Sequence, residues 1–293
     1  MKAYGRTDRD LIKAAVLGMD PGANGWWRIP CIVCSIRKGR LDKKKSLTVS
    51  AVSGYYSCFR CECKGFIWDK DKAPKDRPEI VVNHAPCTAP SGFYPVWDSA
   101  QSLEPARRYL RSRGVPEDLW RIAGIGACVS GPEYGRVIVP VRHAVTNDWL
   151  GWVGRAWIDK CDKAYKNAPG AWRTGVLYNQ KALHVETDAP LFVVEGVFDA
   201  LHLWPDAVAL LGGYDESQLD ALSCAPRPVV IVNDGDAWEK GEALANRLKL
   251  RGCKAGWLEL PPRADPDEFT REELVDAAYR ELAVAMLKND GNR

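Results

Sequence analysis

Acidic side chains follow two short apolar segments in the C-terminal half of the 293-residue chain. The first segment, Leu191–Val194, ends at Glu195, and the second, Val229–Val232, is followed closely by Asp234 and Asp236. Uninterrupted apolar runs indicate strands that are buried on both faces of a parallel sheet. Ligands of such sheets bind at the carboxyl ends of the strands. We therefore expect the three acids to share one sheet edge, where their mutual repulsion favours a bound Mg²⁺.

The elements that position these acids alternate between strands and helices. From residue 191 onward the order β-α-β-α-β-α-β predicts an α/β domain with a four-stranded, mostly parallel sheet and right-handed crossovers. The predicted strands span residues 191–195, 207–211, 228–233 and 255–260, and the helices between them span 197–204, 216–224 and 237–251. An acidic loop, Asp265-Pro266-Asp267-Glu268, then precedes a final helix over about residues 271–288.

A second chemical pattern lies near the N-terminus, where cysteines occur in two Cys-x-x-Cys pairs. Cys31 with Cys34 and Cys58 with Cys61 each follow a strand-like aromatic run, as in a four-cysteine zinc ribbon. Four protein ligands leave no open position, so the Zn²⁺ would be structural. Cys63 is an alternative partner for Cys61, although the two-residue spacer gives the better knuckle. The ten cysteines indicate metal binding and reduced thiols, not a disulfide framework.

Basic and aromatic residues are interleaved around the two cysteine pairs. Single-stranded nucleic acid is bound by this combination, because cations contact phosphates and rings stack on bases. The alternative is a solvated loop beside the small aromatic core that any zinc ribbon needs. The residues concerned are Arg37, Lys38, Arg40, Lys43, Lys44 and Lys45, with Trp26, Trp27, Tyr55, Tyr56 and Phe59.

Charge is distributed unevenly along the chain. The formal charge is +8 for residues 1–80, +5 for residues 81–184 and −10 for residues 185–293. A basic front half and an acidic back half suit a protein that binds a polyanion in one part and a metal in the other. The composition, 46% apolar and 27% charged, is that of an ordinary globular protein. Neither a membrane span nor a signal peptide is recognisable, so we expect no membrane partner and a cytoplasmic location.

These patterns divide the chain into five segments. A charged, proline-rich stretch predicts a linker that tethers the zinc module with freedom to move. Between the linker and the parallel sheet, strand-like runs and two short helices predict a basic α+β subdomain. The predicted segments are a zinc-binding domain at 1–68, the linker at 69–98, the basic subdomain at 99–185, the α/β domain at 186–270 and a C-terminal helix at 271–293.

Taken together, the motifs resemble a known family. Glu195-Gly196, Asp199, Asp234-x-Asp236 and the loop from Asp265 to Glu268 resemble the TOPRIM domain of bacterial and phage DnaG-type primases. The zinc ribbon resembles the template-recognition module of that family, and no helicase-binding domain is expected. Four further segments resemble the basic N-terminal part of the family's RNA polymerase domain. They are Tyr109-Leu110-Arg111-Ser112-Arg113-Gly114, Pro140-Val141-Arg142, Gly154-Arg155 and Tyr165-x-Asn167-x-Pro169.

The resemblance implies a DNA primase, which synthesises short RNA primers on single-stranded DNA from ribonucleoside triphosphates. It also implies Mg²⁺ or Mn²⁺ as the catalytic cofactor, a location in a bacterial or phage-infected cell, and leaves a replicative helicase open as a further partner. The acids would hold the metal ions, with Glu195, Asp234 and Asp236 nearest and Asp199, Asp265 and Asp267 around them. Nucleotide and template would be bound by Arg142, Arg155, Lys163, Lys166 and Asn167.

The sequence departs from the family at three positions. Cys34 stands where histidine is common, which preserves zinc binding. Ala164 stands where a nucleotide-contacting lysine is common, so that either Lys163 or Lys166 would take over the contact. Gly241 comes late after Asp236, which indicates a reshaped loop. Two alternatives remain from other TOPRIM proteins, namely a nuclease or topoisomerase-like activity and a non-catalytic recombination mediator that binds DNA.

Overall fold

The computed structural model describes residues 8–17, 19–20, 26–40, 42–51, 53–67, 87–158 and 161–290. Within these ranges the chain forms three β-sheets, of which two are antiparallel and one is parallel, and each sheet has its own helices. None of the described helices combines the length and the apolar character that crossing a bilayer requires.

The N-terminal module is a four-stranded antiparallel sheet in the order β1-β2-β3-β4. Its buried residues include Ile12, Leu47, Val49 and three of the four paired cysteines, and Cys61 is partly buried against them. The first pair lies at the start of a short helix, because Cys31 caps α2 with its sulfur. The elements are α1 (Asp8–Val16), β1 (Trp26–Ile29), α2 (Ile32–Lys38), β2 (Leu47–Ser50), β3 (Tyr55–Cys58) and β4 (Lys64–Phe66).

The middle subdomain is a five-stranded antiparallel sheet in the order β5-β6-β7-β8-β9. Two short helices were predicted here and two α-helices are found. The first, α3, ends just before Gly114, whose positive φ of 66° suits a helix stop. The elements are β5 (Phe93–Pro95), α3 (Glu104–Ser112), α4 (Glu117–Ile122), β6 (Gly126–Cys128), β7 (Arg136–Arg142), β8 (Trp149–Ala156) and β9 (Tyr165–Asn167).

The C-terminal domain is the predicted four-stranded sheet, and all of its strand pairs are parallel. The strand order is β11-β10-β12-β13, which places the two acid-tipped strands side by side. The predicted mixed α/β fold class is confirmed. The elements are β10 (Leu191–Val194), α5 (Val197–His202), β11 (Ala207–Ala209), α6 (Glu216–Ser223), β12 (Val229–Val232), α7 (Trp238–Leu250), β13 (Ala255–Leu258) and α8 (Arg271–Asp290).

The apolar runs of this sheet are buried on both faces. Phe192 and Val194 of β10 belong to one core, and Leu191 and Val193 belong to another, as strand alternation requires. The core that contains Phe192 also contains Ile138 of β7. The middle subdomain and the parallel sheet are therefore packed together through a shared core, which fixes the position of one against the other.

The structure differs from the sequence-based predictions in the segment predicted as a linker. Of the predicted linker, residues 69–86 lie outside the described residues, but Phe93–Pro95 forms the edge strand β5. Three residues that include a proline carry too little pattern to indicate a strand, and β5 exists only because β6 pairs with it. The first cysteine pair follows the strand β1, as predicted, and it also opens the helix α2, which the sequence pattern did not indicate.

The zinc module also contacts the C-terminal domain, where free movement was predicted. The hydroxyl of Ser53, in the turn between β2 and β3, donates to Asp220 of α6 at 3.0 Å. The guanidinium of Arg251 lies 4.3 Å from the ring centroid of Tyr55 and 3.6 Å from Asp220. Arg251 also pairs with Glu216. Asp220 is fully buried at this contact, and that burial raises its pKa to about 6.

We predict that Arg251→Ala weakens this contact by about 3 kcal/mol, because Asp220 then stays buried without its counter-charge. Hydrogen exchange of the amides in the β2–β3 turn should become faster, while exchange in the central strand β10 stays unchanged. Lys249→Ala, at an exposed position in the last turn of α7, two residues before Arg251, is the control. Equal exchange rates in the two variants would contradict the prediction.

Candidate active site and candidate zinc centre

A cavity of about 410 Å³ lies where the parallel sheet faces the middle subdomain. One wall is acidic and comes from the carboxyl edge of the parallel sheet. The opposite wall is basic and aromatic and comes mainly from the antiparallel subdomain. The polar residues that line the cavity are Glu195, Asp199, Asp234 and Asp265 on the acidic side, and Arg113, Arg155, Tyr165, Asn167 and Arg173 on the basic side.

The acidic wall is built by neighbouring strand ends. Because β10 and β12 are adjacent and parallel, Glu195 and Asp234 emerge at the same edge. Asp199 lies in the first turn of α5, and its carboxylate accepts a hydrogen bond from the amide of Gly196 at 3.1 Å. Asp265 joins them from the loop that follows β13. Four of the six predicted acids thus line one cavity.

The other two acids lie at its margin and have protein partners. Asp236 accepts a hydrogen bond from the amide of Arg263 at 3.1 Å. Asp267 forms an ion pair with Arg113 at 2.6 Å, and its amide donates to Asp265 at 3.3 Å. Neither side chain is among those that line the cavity.

Crowding of the carboxylates changes their proton affinity. The pKa of Asp199 is raised to about 7, first because the carboxyl is buried and then because Asp265, Asp234 and Asp267 are close. Burial, together with the charges of Asp265 and Glu195, also raises the pKa of Asp234. This wall is therefore a place where a cation would relieve both burial and repulsion.

On the basic wall, Arg155 of β8 is held by two tyrosines. Its Nε donates to the hydroxyl of Tyr109 at 3.2 Å, and its guanidinium lies 4.2 Å from the ring centroid of Tyr165. Burial of the Tyr165 ring raises the pKa of its hydroxyl, so the ring stays neutral under Arg155. A guanidinium oriented in this way keeps donors available for an anion in the cavity.

Two further arginines of this wall were not predicted as site residues. Arg113 lies over the ring of Phe198 at 5.9 Å while it pairs with Asp267. Arg173 reaches the cavity from the loop after β9 and donates to the carbonyl of Leu211 at 3.3 Å. Arg113 belongs to the family-like segment after Tyr109, which was the available signal. Arg173 stands in no recognisable pattern.

Three predicted nucleotide-binding residues lie outside the cavity. Successive side chains of a strand point to opposite faces, so Tyr165 and Asn167 of β9 face the cavity while Lys166 bonds Glu133 at 2.8 Å on the other face. Lys163 is exposed in the preceding loop. Arg142 lies at the far end of β7, packed over the ring of Trp149 at 5.1 Å.

The predicted zinc ligands come together as a tight group. Among the described residues, Cys31, Cys34, Cys58 and Cys61 form the sole set of three or more ligand atoms within 4.8 Å of one another. The sulfurs of Cys31 and Cys61 are 3.7 Å apart, and those of Cys34 and Cys58 are 3.8 Å apart. A tetrahedron with zinc–sulfur bonds of about 2.3 Å has edges of about 3.8 Å, so the four thiols fit Zn²⁺.

A second cavity, of about 280 Å³, opens beside this cysteine group and is strongly basic. Of the predicted aromatic residues, Phe59 on the second knuckle is 67% exposed, whereas Tyr55 and Tyr56 are buried in the core of the module. The predicted lysines beside the cysteine pairs are exposed. The residues that line this cavity are Cys34, Lys38, Arg40, Asp42, Lys43, Lys44 and Arg60.

Comparison with solved structures finds the same architecture elsewhere. The structure of the Aquifex aeolicus primase, comprising zinc-binding and RNA polymerase domains, aligns over 95% of this chain and 83% of its own, with 18% identity and a TM-score of 0.50. The DnaG primase catalytic domain bound to ssDNA aligns over 63% of this chain and 75% of its own, with 23% identity and a TM-score of 0.51. The chain has the DnaG primase fold.

A third structure extends this comparison to a complex with duplex DNA. The RNA polymerase domain of Mycobacterium tuberculosis primase DnaG, in complex with double-stranded DNA, aligns over 63% of this chain and 76% of its own at 20% identity, with a TM-score of 0.51. No protein-family model matches this chain, and no curated protein matches it in sequence. This chain thus has the DnaG primase fold although its sequence differs strongly from the sequences of these structures.

The raised pKa of Asp199 predicts how this primase fold responds to pH. Because the folded state holds the proton more tightly than the unfolded chain, the stability that this carboxyl contributes is present at low pH and is lost as the pH rises through about 7. The full effect has an upper limit of about 4 kcal/mol. In Mg²⁺-free buffer the melting temperature should therefore fall between about pH 5.5 and pH 7.5.

Asp199→Asn should flatten this dependence, because the amide does not titrate. Asp188→Asn, at an exposed position before the amino end of β10, should leave the dependence as in the parent protein. Thermal unfolding monitored by circular dichroism measures both. An unchanged slope in Asp199→Asn would assign the pH response to other groups.

Proposed function

We propose that the protein is a DNA primase, a nucleotidyltransferase that synthesises short RNA on a single-stranded DNA template. The observation that supports this most is the cavity in which the acidic edge of the parallel sheet faces three arginines. The 3′-hydroxyl of one ribonucleotide would attack the α-phosphate of the next, and pyrophosphate would leave. Such a reaction needs cations around the phosphates and carboxylates to hold them.

The acidic wall is suited to Mg²⁺ or Mn²⁺ and corresponds in our proposal to a TOPRIM metal site. Mg²⁺ keeps several waters and is usually held by one or two carboxylates together with substrate phosphates, so widely spaced acids suit it better than a closed cage does. Glu195, Asp234 and Asp236 would be its ligands. When bound, the metal ions lower the pKa of the attacking hydroxyl and neutralise developing phosphate charge. Asp199, Asp265 and Asp267 complete the negative surround.

The basic wall would receive the triphosphate. Arg155 and Arg173 lie on the cavity, and guanidinium groups bind phosphate in a bidentate manner. Asn167 lies beside them and would orient the nucleotide or the template. Arg173 takes the part that was expected of Lys163 or Lys166, because neither lysine lines the cavity. Arg142, at the distant end of β7, is left as a contact to template outside the cavity.

The zinc module would present the template. Its basic cavity, which Arg60 of the second knuckle also lines, would offer phosphate contacts, and the exposed ring of the preceding residue, Phe59, would offer a stacking surface. A DnaG catalytic domain of the same fold has been solved bound to ssDNA, and an RNA polymerase domain with double-stranded DNA, which supports DNA as the partner.

The first test is synthesis itself. Purified protein incubated with single-stranded DNA, ribonucleoside triphosphates and Mg²⁺ or Mn²⁺ should yield short RNA on a denaturing gel. Asp234→Ala should reduce product at least about 100-fold while DNA binding is retained, because one metal ligand is lost and the basic surfaces are not. Asp188→Ala, at the opposite end of the sheet, is the control.

The alternatives give different results in the same assay. Cleavage or relaxation of DNA without RNA synthesis would indicate a nuclease or topoisomerase-like activity. DNA binding with no reaction under any nucleotide and metal condition would indicate a non-catalytic mediator. Either result would overturn the proposal.

A second test separates the arginine from the lysines. Arg173→Ala should raise KM for the ribonucleotides about tenfold or more, because a charge-assisted contact to phosphate is lost. Lys166→Ala should leave KM within about twofold, since its ammonium pairs with Glu133 on the other face of β9. Initial rates over a nucleotide concentration series measure both. A larger effect from Lys166 would show that β9 presents its opposite face to the substrate.

A further inference from the structure

A buried carboxylate lies beside the cysteine group without belonging to it. Asp42 stands in the turn between α2 and β2, and only 1% of its side chain is exposed. A buried carboxylate is costly unless every lone pair finds a donor. Its position in the zinc module, away from the cavity of the catalytic residues, leaves it without a part in the proposed reaction.

Asp42 accepts four hydrogen bonds, two on each oxygen. Oδ2 accepts from the amide of Cys31 at 3.1 Å and from the hydroxyl of Ser46 at 2.5 Å. Oδ1 accepts from the guanidinium of Arg60 at 2.5 Å and from the amide of Lys44 at 3.4 Å.

These donors come from both halves of the cysteine group. Cys31 opens the first Cys-x-x-Cys pair, and its amide is fixed directly by Asp42. Arg60 stands between Cys58 and Cys61 of the second pair, and its own amide points at the sulfur of Cys58 at 3.4 Å. The Asp42 carboxylate is therefore a bridge from one knuckle to the other.

Further contacts tie the same network to each knuckle. The amide of Asp42 donates to the hydroxyl of Ser35 at 2.9 Å, and that hydroxyl donates to the carbonyl of Cys31 at 3.0 Å. On the other side, the oxygen of Ser46 lies 3.5 Å from the sulfur of Cys58. Asp42 is thus linked to the first pair through both its backbone and its side chain.

Electrostatics alone would disfavour an acid at this place. Four thiolates around Zn²⁺ carry a net negative charge, and another buried negative charge close by makes thiolates harder to form. Arg60 and the lysines of the basic cavity offset this only in part. A carboxylate suits this place in spite of its charge because its two acceptor oxygens accept all four bonds, whereas an amide has only one acceptor oxygen and a hydroxyl has only two lone pairs.

We propose that Asp42 is a positioning residue that holds the two cysteine knuckles at the separation a tetrahedral metal requires. The proposal rests on zinc binding by the four cysteines, and it is independent of any catalytic activity. Outer-shell partners of this kind orient ligands that would otherwise have to be ordered by the metal itself.

The test is zinc affinity, measured on the full-length protein by competition with a chromophoric chelator in the absence of DNA and nucleotide. The parent protein should hold one zinc per chain. Asp42→Asn turns an acceptor into a donor that faces the Cys31 amide or Arg60, and should weaken zinc binding about 10- to 100-fold. A role limited to charge predicts the opposite sign, because removal of a negative charge favours thiolates.

Glu62→Gln is the matched control for charge. It removes one negative charge from an exposed position next to Cys61, and zinc affinity should stay the same or rise slightly. Tetrahedral thiolate-bound Co²⁺ has characteristic absorption bands, which should be altered or lost in Asp42→Asn and preserved in Glu62→Gln. Zinc affinity of Asp42→Asn within about twofold of the parent would overturn the proposal.

Arg60→Gln keeps the test decisive if Asp42→Asn gives no metal-loaded protein. The Arg60 side chain is 33% exposed, so its loss is tolerable for folding, yet it removes one of the four bonds. We expect a smaller loss of zinc affinity, and a double variant no weaker than Asp42→Asn alone. An unaffected Arg60→Gln, or fully additive losses, would contradict the bridge. Absence of zinc from the parent protein would instead remove the cysteine centre on which the proposal stands.

Discussion

The repulsion among the crowded carboxylates at the edge of the parallel sheet is the constraint around which the acidic wall of the cavity is arranged. Burial and the nearby charges of other acids raise the pKa of Asp199 and of Asp234, so the closeness of these acids is imposed by the chain and not by mutual attraction. What imposes it is strand order, since β10 and β12 are parallel neighbours with buried side chains on both faces. A core built for packing thus holds charges that would separate if the edge were loose.

The opposite wall poses the complementary problem, because arginines beside carboxylates would tend to collapse on them and close the cavity. Aromatic rings prevent this for the central one. Arg155 is fixed by the hydroxyl of Tyr109 and by the ring of Tyr165, which orient the guanidinium without neutralising it. Arg113 does make an ion pair, with Asp267, and so closes the margin of the cavity. The two arginines therefore differ in role: one is held open for an anion, and the other joins the two domains.

Sequence reasoning placed residues correctly where strand ends and cysteine spacing decide their position. Glu195 and Asp234 were predicted because uninterrupted apolar runs indicate buried strands of a parallel sheet. Cys31 was predicted because its spacing to Cys34 is that of a zinc knuckle. Sequence reasoning was less informative where strand register and strand face decide the position of a side chain. Asn167 and Lys166 are neighbours whose side chains lie on opposite faces of β9. No periodicity can be recognised in a strand as short as β9.

Pairing register accounts for the remaining differences in the same subdomain. Arg142 and Arg155 both stand on long, well-predicted strands, yet Arg142 pairs with Trp149 at one end of the β7–β8 ladder and Arg155 with Val137 near the other. Which end meets the acidic edge depends on how the subdomain packs against the parallel sheet. That packing is made by a shared core of ordinary apolar residues such as Ile138 and Phe192, whose partners the sequence does not specify.

The zinc module shows how the charge asymmetry of the chain is arranged in space. The carboxylate of Asp42 is buried beside the cysteine group, and the lysines of the basic cavity are exposed. The module meets the acidic C-terminal domain through Ser53 and Tyr55 of the β2–β3 region and not through those lysines. The attraction between the basic and acidic halves of the chain therefore does not bring the basic cavity into contact with the acidic domain. A polyanion can bind at that cavity without displacing the domain interface.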